Sequence, residues 1–207
     1  VPVHFAGQPT EQELIWELAQ RYGFKLLEDA SHAIGASRHG ETVGNCRWSD
    51  VTVFSFHPVK IITAGEGGMA LTNDAGLAER MATLRLHGIT RDPALLVHGT
   101  LTGQGPPQWY YEQQLLGYNY RMTDIHAALG TSQLCRLDEY VERRDALAMQ
   151  YDELLEGLPV QVPLVLPGNH SAFHLYVVHL EDASPDRHQM VLEELRVRGI
   201  GVNVHYM

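Results

Sequence analysis

The tightest local constraint in the sequence lies between Val51 and Gly68, where a β-branched and aromatic run, Val51-Thr-Val-Phe-Ser-Phe56, passes directly into Pro58 and a Gly65-Glu-Gly-Gly68 cluster. The run reads as a buried strand, and the proline and glycines force the backbone to turn as soon as it ends. Lys60 therefore stands beside a strand end, flanked by Pro58, Val59, Ile61 and Ile62. An amine among apolar neighbours is partly desolvated, which favours the neutral, nucleophilic form that a Schiff-base lysine needs. Taken alone, the commoner reading of such a lysine is a solvated surface charge, and that of Gly-Glu-Gly-Gly an ordinary glycine turn. It is not a Walker loop, because the lysine precedes the glycines.

The opening of the chain predicts a strand-helix-strand unit. Val1 to Phe5 reads as a strand and Gly7-Gln8-Pro9 as its exit loop. Thr10 with Glu13 forms a capping box for a helix over Glu11 to Tyr22, closed by Gly23. Phe24 to Leu27 then forms a second strand, and Glu28-Asp29-Ala30-Ser31-His32 stands at its end. Carboxylates at the carboxyl ends of strands in open α/β sheets face the ligand crevice, although an aspartate there is also a common helix cap or turn residue.

Further along, Arg38-His39-Gly40-Glu41 reads as a hairpin tip, Met69 to Thr72 as a short strand, and Asn73 or Asp74 as the cap of a helix through Leu84. His87 to Gly117 is a long segment containing Pro106-Pro107 and Trp109-Tyr110-Tyr111, of a length that is usually functional or mobile. Thr123 to Glu156 reads as helical, with a break at Gly130 and a stop at Gly157. Pro159, Pro163 and Pro167 mark a domain boundary between residues 1–158, which end in a connecting helix, and residues 159–207, part of a smaller α+β domain. In the latter a strand over Phe173 to Leu180, a helix from about Asp186 to Arg198 and a strand over Ile200 to His205 are expected.

Composition narrows the function. A formal charge of -10 without clustered Lys and Arg argues against a nucleic-acid partner. With 44% hydrophobic and 19% charged residues the chain reads as an ordinary soluble globular protein, and no apolar run approaches a membrane span. Cys46 and Cys135 lack metal-ligand spacing and indicate a reducing compartment, the cytoplasm. The 12 histidines form no metal-binding motif, so no metal site is expected.

Four stretches in order, Glu-Asp29-Ala-Ser-His32, Ser55-Phe-His-Pro-Val-Lys60 with Gly-Glu-Gly-Gly, Leu-Arg-Leu-His87-Gly, and Gly-Tyr-Asn119-Tyr-Arg-Met-Thr-Asp, resemble the DegT/DnrJ/EryC1/StrS sugar aminotransferases. Within the family, Trp109-Tyr-Tyr-Glu112 followed by Leu-Gly-Tyr-Asn-Tyr is most similar to the members of the pseudaminic acid pathway, which aminate a UDP-linked 4-keto-6-deoxy sugar. The resemblance implies an α/β fold type I architecture with a mostly parallel sheet and helices on both faces, pyridoxal 5'-phosphate as cofactor, glutamate as amino donor and a homodimer.

By the same resemblance Lys60 carries the cofactor covalently and moves protons, Asp29 pairs with the pyridine nitrogen, and His32 lies close to the ring. Ser55 donates to the cofactor phosphate, and Asn119 reaches the neighbouring subunit's phosphate. Val204-His205-Tyr206 resembles the sugar-nucleotide-contacting stretch, with packing as the default role of His205 and Tyr206. Relative to the family the chain lacks an earlier segment and the end of the small domain, so it reads as a middle portion. Two alternatives stand beside transamination. One is a sugar dehydratase, whose family members carry histidine at the position of Lys60; the other is a non-catalytic fragment that binds a sugar nucleotide or a partner protein.

Overall fold

The computed structural model describes residues 1–98, 106–181 and 184–206. Helix α1 (Gln12–Tyr22) leads to β1 (Leu27–Asp29), the hairpin β2 (Ser37–Arg38) and β3 (Glu41–Thr42), then β4 (Val51–Ser55) and β5 (Gly68–Leu71). Helix α2 (Ala75–Arg85), the pair β6 (Ile89–Thr90) and β7 (Glu112–Gln113), and helices α3 (Asp124–Leu134) and α4 (Leu137–Leu155) follow. The last portion holds β8 (Val160–Gln161), β9 (Asn169–His170), β10 (His179–Leu180) and α5 (Pro185–Val197).

The sheet that organises the molecule has the order β1-β4-β5. Strands β1 and β4 are parallel, with Asp29 opposite Val53, and β5 is antiparallel to β4. On the outer side of β1 the start of the chain adds a parallel bridge, Val3 to Asp29, before turning at Phe5–Gly7. The expected strand over Val1 to Phe5 is thus a single bridge. The expected strand over Phe24 to Leu27 begins only at Leu27 and contains Glu28 and Asp29, because the ladder to β4 sets its limits.

Alternation along β4 separates two chemistries. Thr52 and Phe54 are buried, whereas Val51, Val53 and Ser55 are half-buried. Paired residues of parallel strands share a face, so Asp29, Val53 and Ser55 lie on one side and Glu28 and Thr52 on the other. On the second side Glu28 is fully enclosed. Its carboxylate accepts hydrogen bonds from Thr52 (2.6 Å), Ser49 (3.0 Å) and Gln12 of α1, with buried His4 alongside. A buried carboxylate is tolerable only when so fully paired.

Phe54, Phe56, Ile61, Ile62, Val43 and a set of alanines including Ala172 form the core around the strand and the turn after it. Each large apolar side chain buried there contributes roughly 1.5–3 kcal/mol.

Helix ends follow their local chemistry in most places. Gly23 closes α1 in the left-handed conformation, and Asp74, Thr123 and Ser184 cap α2, α3 and α5. The capping box at Thr10 and Glu13 does not form. The Thr10 N–H donates to His4 Nδ1 (3.0 Å), and Glu13 is taken by a bidentate pairing with Arg38 (2.6–3.0 Å), a stronger partner than a backbone amide.

The helical break falls at Cys135–Arg136, not at Gly130. Gly130 stays helical with its missing Cβ toward Ala64. The part of the long segment at 99–105 lies outside the described residues.

Beyond residue 158 the chain returns to its first portion at several places. Strand β9 pairs antiparallel with β2, and residues 172–175 dock on residues 6–7 through Ala172 N to Gly7 O (3.0 Å) and Leu175 N to Ala6 O (3.1 Å). This docking replaces the strand expected over Phe173 to Leu180, of which only His179–Leu180 pairs, with β8. The expected strand over Ile200 to His205 has no ladder partner among the described residues.

Candidate active site

The carboxyl ends of β1 and β4 open on a cavity of about 290 Å³ lined by Val3, Phe5, Asp29, Ser31, His32, Lys60 and Tyr206. The volume is at the lower end of small-molecule pockets, and the place is where open α/β sheets put their ligands. Residues distant in sequence meet here for local reasons. Asp29 ends β1; Ser31 and His32 follow in the turn that Ala30 starts by donating to Val53 O (2.8 Å). Lys60 sits in the tight turn after β4, where its own N–H donates to His57 O (2.9 Å). Ile61 and Ile62 beside it are buried and anchor that turn to the core.

The electrostatics divide the labour. Burial works against ionisation of Asp29, but hydrogen bonds from Ser31 (N–H to Oδ1, 3.0 Å) and the charges of His32 and Lys60 outweigh it, so the carboxyl titrates below its ordinary value. Burial lowers the pKa of the Lys60 amine, and Asp29 opposes this in part. His32 is also held below its ordinary value, by burial first and then by Lys60 and His205. The pocket therefore presents a carboxylate, a neutral imidazole and an amine inclined to lose its proton.

Of the residues singled out from the sequence, Asp29, His32, Lys60 and Tyr206 line this one cavity. His205 adjoins through Tyr206, with ring centroids 5.0 Å apart, and its charge is felt by His32. Ser55 is not a lining residue but lies on the Asp29 face at the end of β4, where its hydroxyl accepts from the His57 N–H (3.4 Å) and donates to no partner among the described residues.

Asn119 lies elsewhere. It bridges to Leu86, and its side-chain oxygen accepts from Arg121. Sequence reasoning passed over Phe5, whose ring packs near both His32 and Tyr206 at 5.9 Å, and His174, whose ring lies 4.3 Å from that of His32. A histidine inside the apolar run Ala172-Phe-His-Leu-Tyr-Val177 was the available signal for His174.

The fold is that of solved aminotransferases. The whole chain, residues 1–207, matches the DegT/DnrJ/EryC1/StrS aminotransferase family, and it belongs to that family. Helicobacter pylori PseC, an aminotransferase involved in the biosynthesis of pseudoaminic acid, superimposes with a TM-score of 0.87 and 32% identity over 99% of this chain and 51% of its own. The PLP-form of Spr1654, a putative sugar aminotransferase of Streptococcus pneumoniae, gives 0.84 and 28% over 99% of this chain and 53% of its own. Uncharacterized protein MJ1066 of Methanocaldococcus jannaschii is 38% identical over 210 residues, covering 100% of this chain and 52% of its own. The chain thus spans about half the length of these relatives.

Proposed function

We propose that the protein containing this chain is a pyridoxal-phosphate-dependent aminotransferase that converts the keto group of a nucleotide-linked 4-keto-6-deoxy sugar, UDP-linked by resemblance, into an amine, with glutamate as donor. The observation that carries the reading is the convergence of Asp29, His32 and Lys60 in one cavity at the ends of two parallel strands. The residues fit the cofactor chemically: the carboxylate stays ionised opposite where a protonated pyridine nitrogen would be paired, and the amine is the only lysine lining the cavity. A neutral imidazole supplies a flat polar wall. The relatives support it by their names, since one acts in pseudoaminic acid biosynthesis and another is a putative sugar aminotransferase with PLP-form and PMP-form structures.

When bound, pyridoxal phosphate supplies an electrophilic carbon that carries the amino group from donor to acceptor and a ring that stores the electrons released. The chain's own residues do the rest. Lys60, with its lowered pKa, holds the cofactor and takes and returns the proton at the reacting carbon. Asp29, whose carboxyl stays ionised, would pair with the ring nitrogen. Ser55 keeps a hydroxyl hydrogen for the phosphate. Asn119, exposed and away from the cavity, would serve a neighbouring copy in a homodimer, and His205 and Tyr206 would contact the sugar.

A lysine at position 60 sets this reading above the dehydratase alternative. The test is borohydride reduction of the full-length protein with added pyridoxal phosphate, followed by peptide mass spectrometry and glutamate-dependent turnover of a UDP-4-keto-6-deoxy sugar. A fixed cofactor on Lys60 with turnover is the expected result. A fixed cofactor on another lysine refutes the site, and none at all refutes the cofactor.

A further inference from the structure

His174 is buried, 9% exposed, and its Nδ1 has no hydrogen-bond partner among the described residues. An unpaired buried ring nitrogen is destabilising, and an aliphatic side chain such as leucine would fill the space without that penalty, so a flat ring at this place calls for a reason. Its ring lies against His32, centroids 4.3 Å apart and planes inclined by 40°. His32 is held from a second direction, because its Nδ1 accepts from the Ala6 N–H (3.3 Å). A neutral imidazole whose Nδ1 accepts must carry its hydrogen on Nε2.

The two restraints on His32 are built from one piece of structure. The segment bearing His174 is tied to the residues that hold His32, through Leu175 N to Ala6 O (3.1 Å) and Ala172 N to Gly7 O (3.0 Å). From the far side, Arg144 of α4 donates to the carbonyls of Phe173 (3.0 Å) and His174 (3.3 Å). Arg144, on the same helix as buried Val141 and Ala148, therefore ties the segment to α4.

We infer that His174 is a positioning residue for His32: its ring fixes the plane of the His32 imidazole, and the segment carrying it holds the Ala6 N–H that sets the His32 tautomer. The pocket wall then carries one defined Nε2–H. The groups whose charge reaches His32 are Lys60, Asp29 and His205, and those reaching His174 are His32, Lys60, Arg144 and His205. Four of these five are cationic or become so on protonation, and under their influence, after burial, His174 stays neutral down to about pH 3. It thus acts as a flat uncharged support and adds no positive charge beside Lys60. The effect on the His32 ring is independent of the transamination reading; its value to the reaction rests on that reading.

The test compares His174→Phe, which keeps a flat ring, with His174→Leu, which fills the space without one, in the full-length protein. Long-range proton–nitrogen spectra of the imidazoles, recorded over pH without cofactor, report the His32 tautomer and titration directly. The parent and the phenylalanine variant should show the Nε2–H tautomer. The leucine variant should show mixed tautomers.

With cofactor and substrates, the leucine variant should lose roughly tenfold to a hundredfold in kcat with little change in KM, and the phenylalanine variant should recover most of it. Parental His32 spectra in the leucine variant overturn the inference. An altered ring with unaltered kcat upholds the positioning and counts against His32 in the proposed reaction. If the leucine variant does not fold, the phenylalanine variant decides: the parental tautomer supports the inference and its loss overturns it.

Discussion

At the scale of single residues, Lys60 and Asp29 make opposite demands on one pocket, and the folded chain meets both. Burial makes the ammonium form of Lys60 less favourable, while hydrogen bonds and neighbouring positive groups keep Asp29 charged despite burial. Only a primary amine can hold the cofactor covalently, so Lys60→Ala in the full-length protein should abolish turnover and leave nothing for borohydride to fix. Asp29→Asn keeps size and shape but removes the charge. It should leave cofactor bound and slow the half-reaction with glutamate by tens- to thousandfold, on the order of 2–4 kcal/mol of transition-state energy. Stopped-flow absorbance measures that step, and an unchanged rate would assign Asp29 a structural role.

At the scale of elements, what the sequence disclosed was mostly what a few neighbouring residues decide by themselves. Gly23, Asp74 and Thr123 end or start helices where their own backbone and side-chain chemistry requires. The hairpin at His39-Gly40 turns through two positive φ angles, 49° and 80°, as its residues suggest. Asp29, His32 and Lys60 were legible because each stands within a few residues of a strand end.

What was not legible depends on partners far along the chain. Arg38 draws Glu13 out of its capping box, and the docking of residues 172–175 on Ala6 and Gly7 dissolves a predicted strand while bringing His174 to the site. That docking depends on Gly7, at φ +106°, where a Cβ would stand 2.8 Å from Phe173 N and 2.9 Å from His174 N. Because backbone atoms cannot step aside, Gly7→Ala should cost about 2 kcal/mol or more in urea unfolding. It should also disturb the His32 spectrum. A loss below about 0.5 kcal/mol would show that the docking yields easily.

At the scale of the whole molecule, the histidines set the acid limit of stability. His4, His32 and His174 are all held below their ordinary pKa, burial being the first cause in each, and His174 falls to about 3. A histidine with a depressed folded pKa binds protons more readily when unfolded. Its contribution is therefore complete above the unfolded value of 6.5 and is lost as pH falls toward the folded one. Stability should decline from near pH 6.5, each such histidine adding a slope of up to about 1.4 kcal/mol per pH unit. The depressed carboxyls of Glu13, Asp29 and Asp50 add their losses only at lower pH, as it falls from the usual carboxylate range toward their folded values. Urea midpoints between pH 7 and 5 should show a shallower decline in His174→Phe than in the parent, and identical slopes would remove His174 from the account.

The return of the later chain onto its beginning also fixes an order of events in the cell. The hydrogen bond from Gln8 to the carbonyl of Leu164 joins residues 156 positions apart, and His174 and Tyr206 come later still. A ribosome adding about 5–20 residues per second needs roughly 8 to 30 seconds to make that interval. Asp29 and Lys60 are made in its first third and then stand without their far wall until it ends. The cavity they line is therefore completed only after synthesis has passed well beyond them, and a nascent chain interrupted midway carries Asp29 and Lys60 in an open cleft.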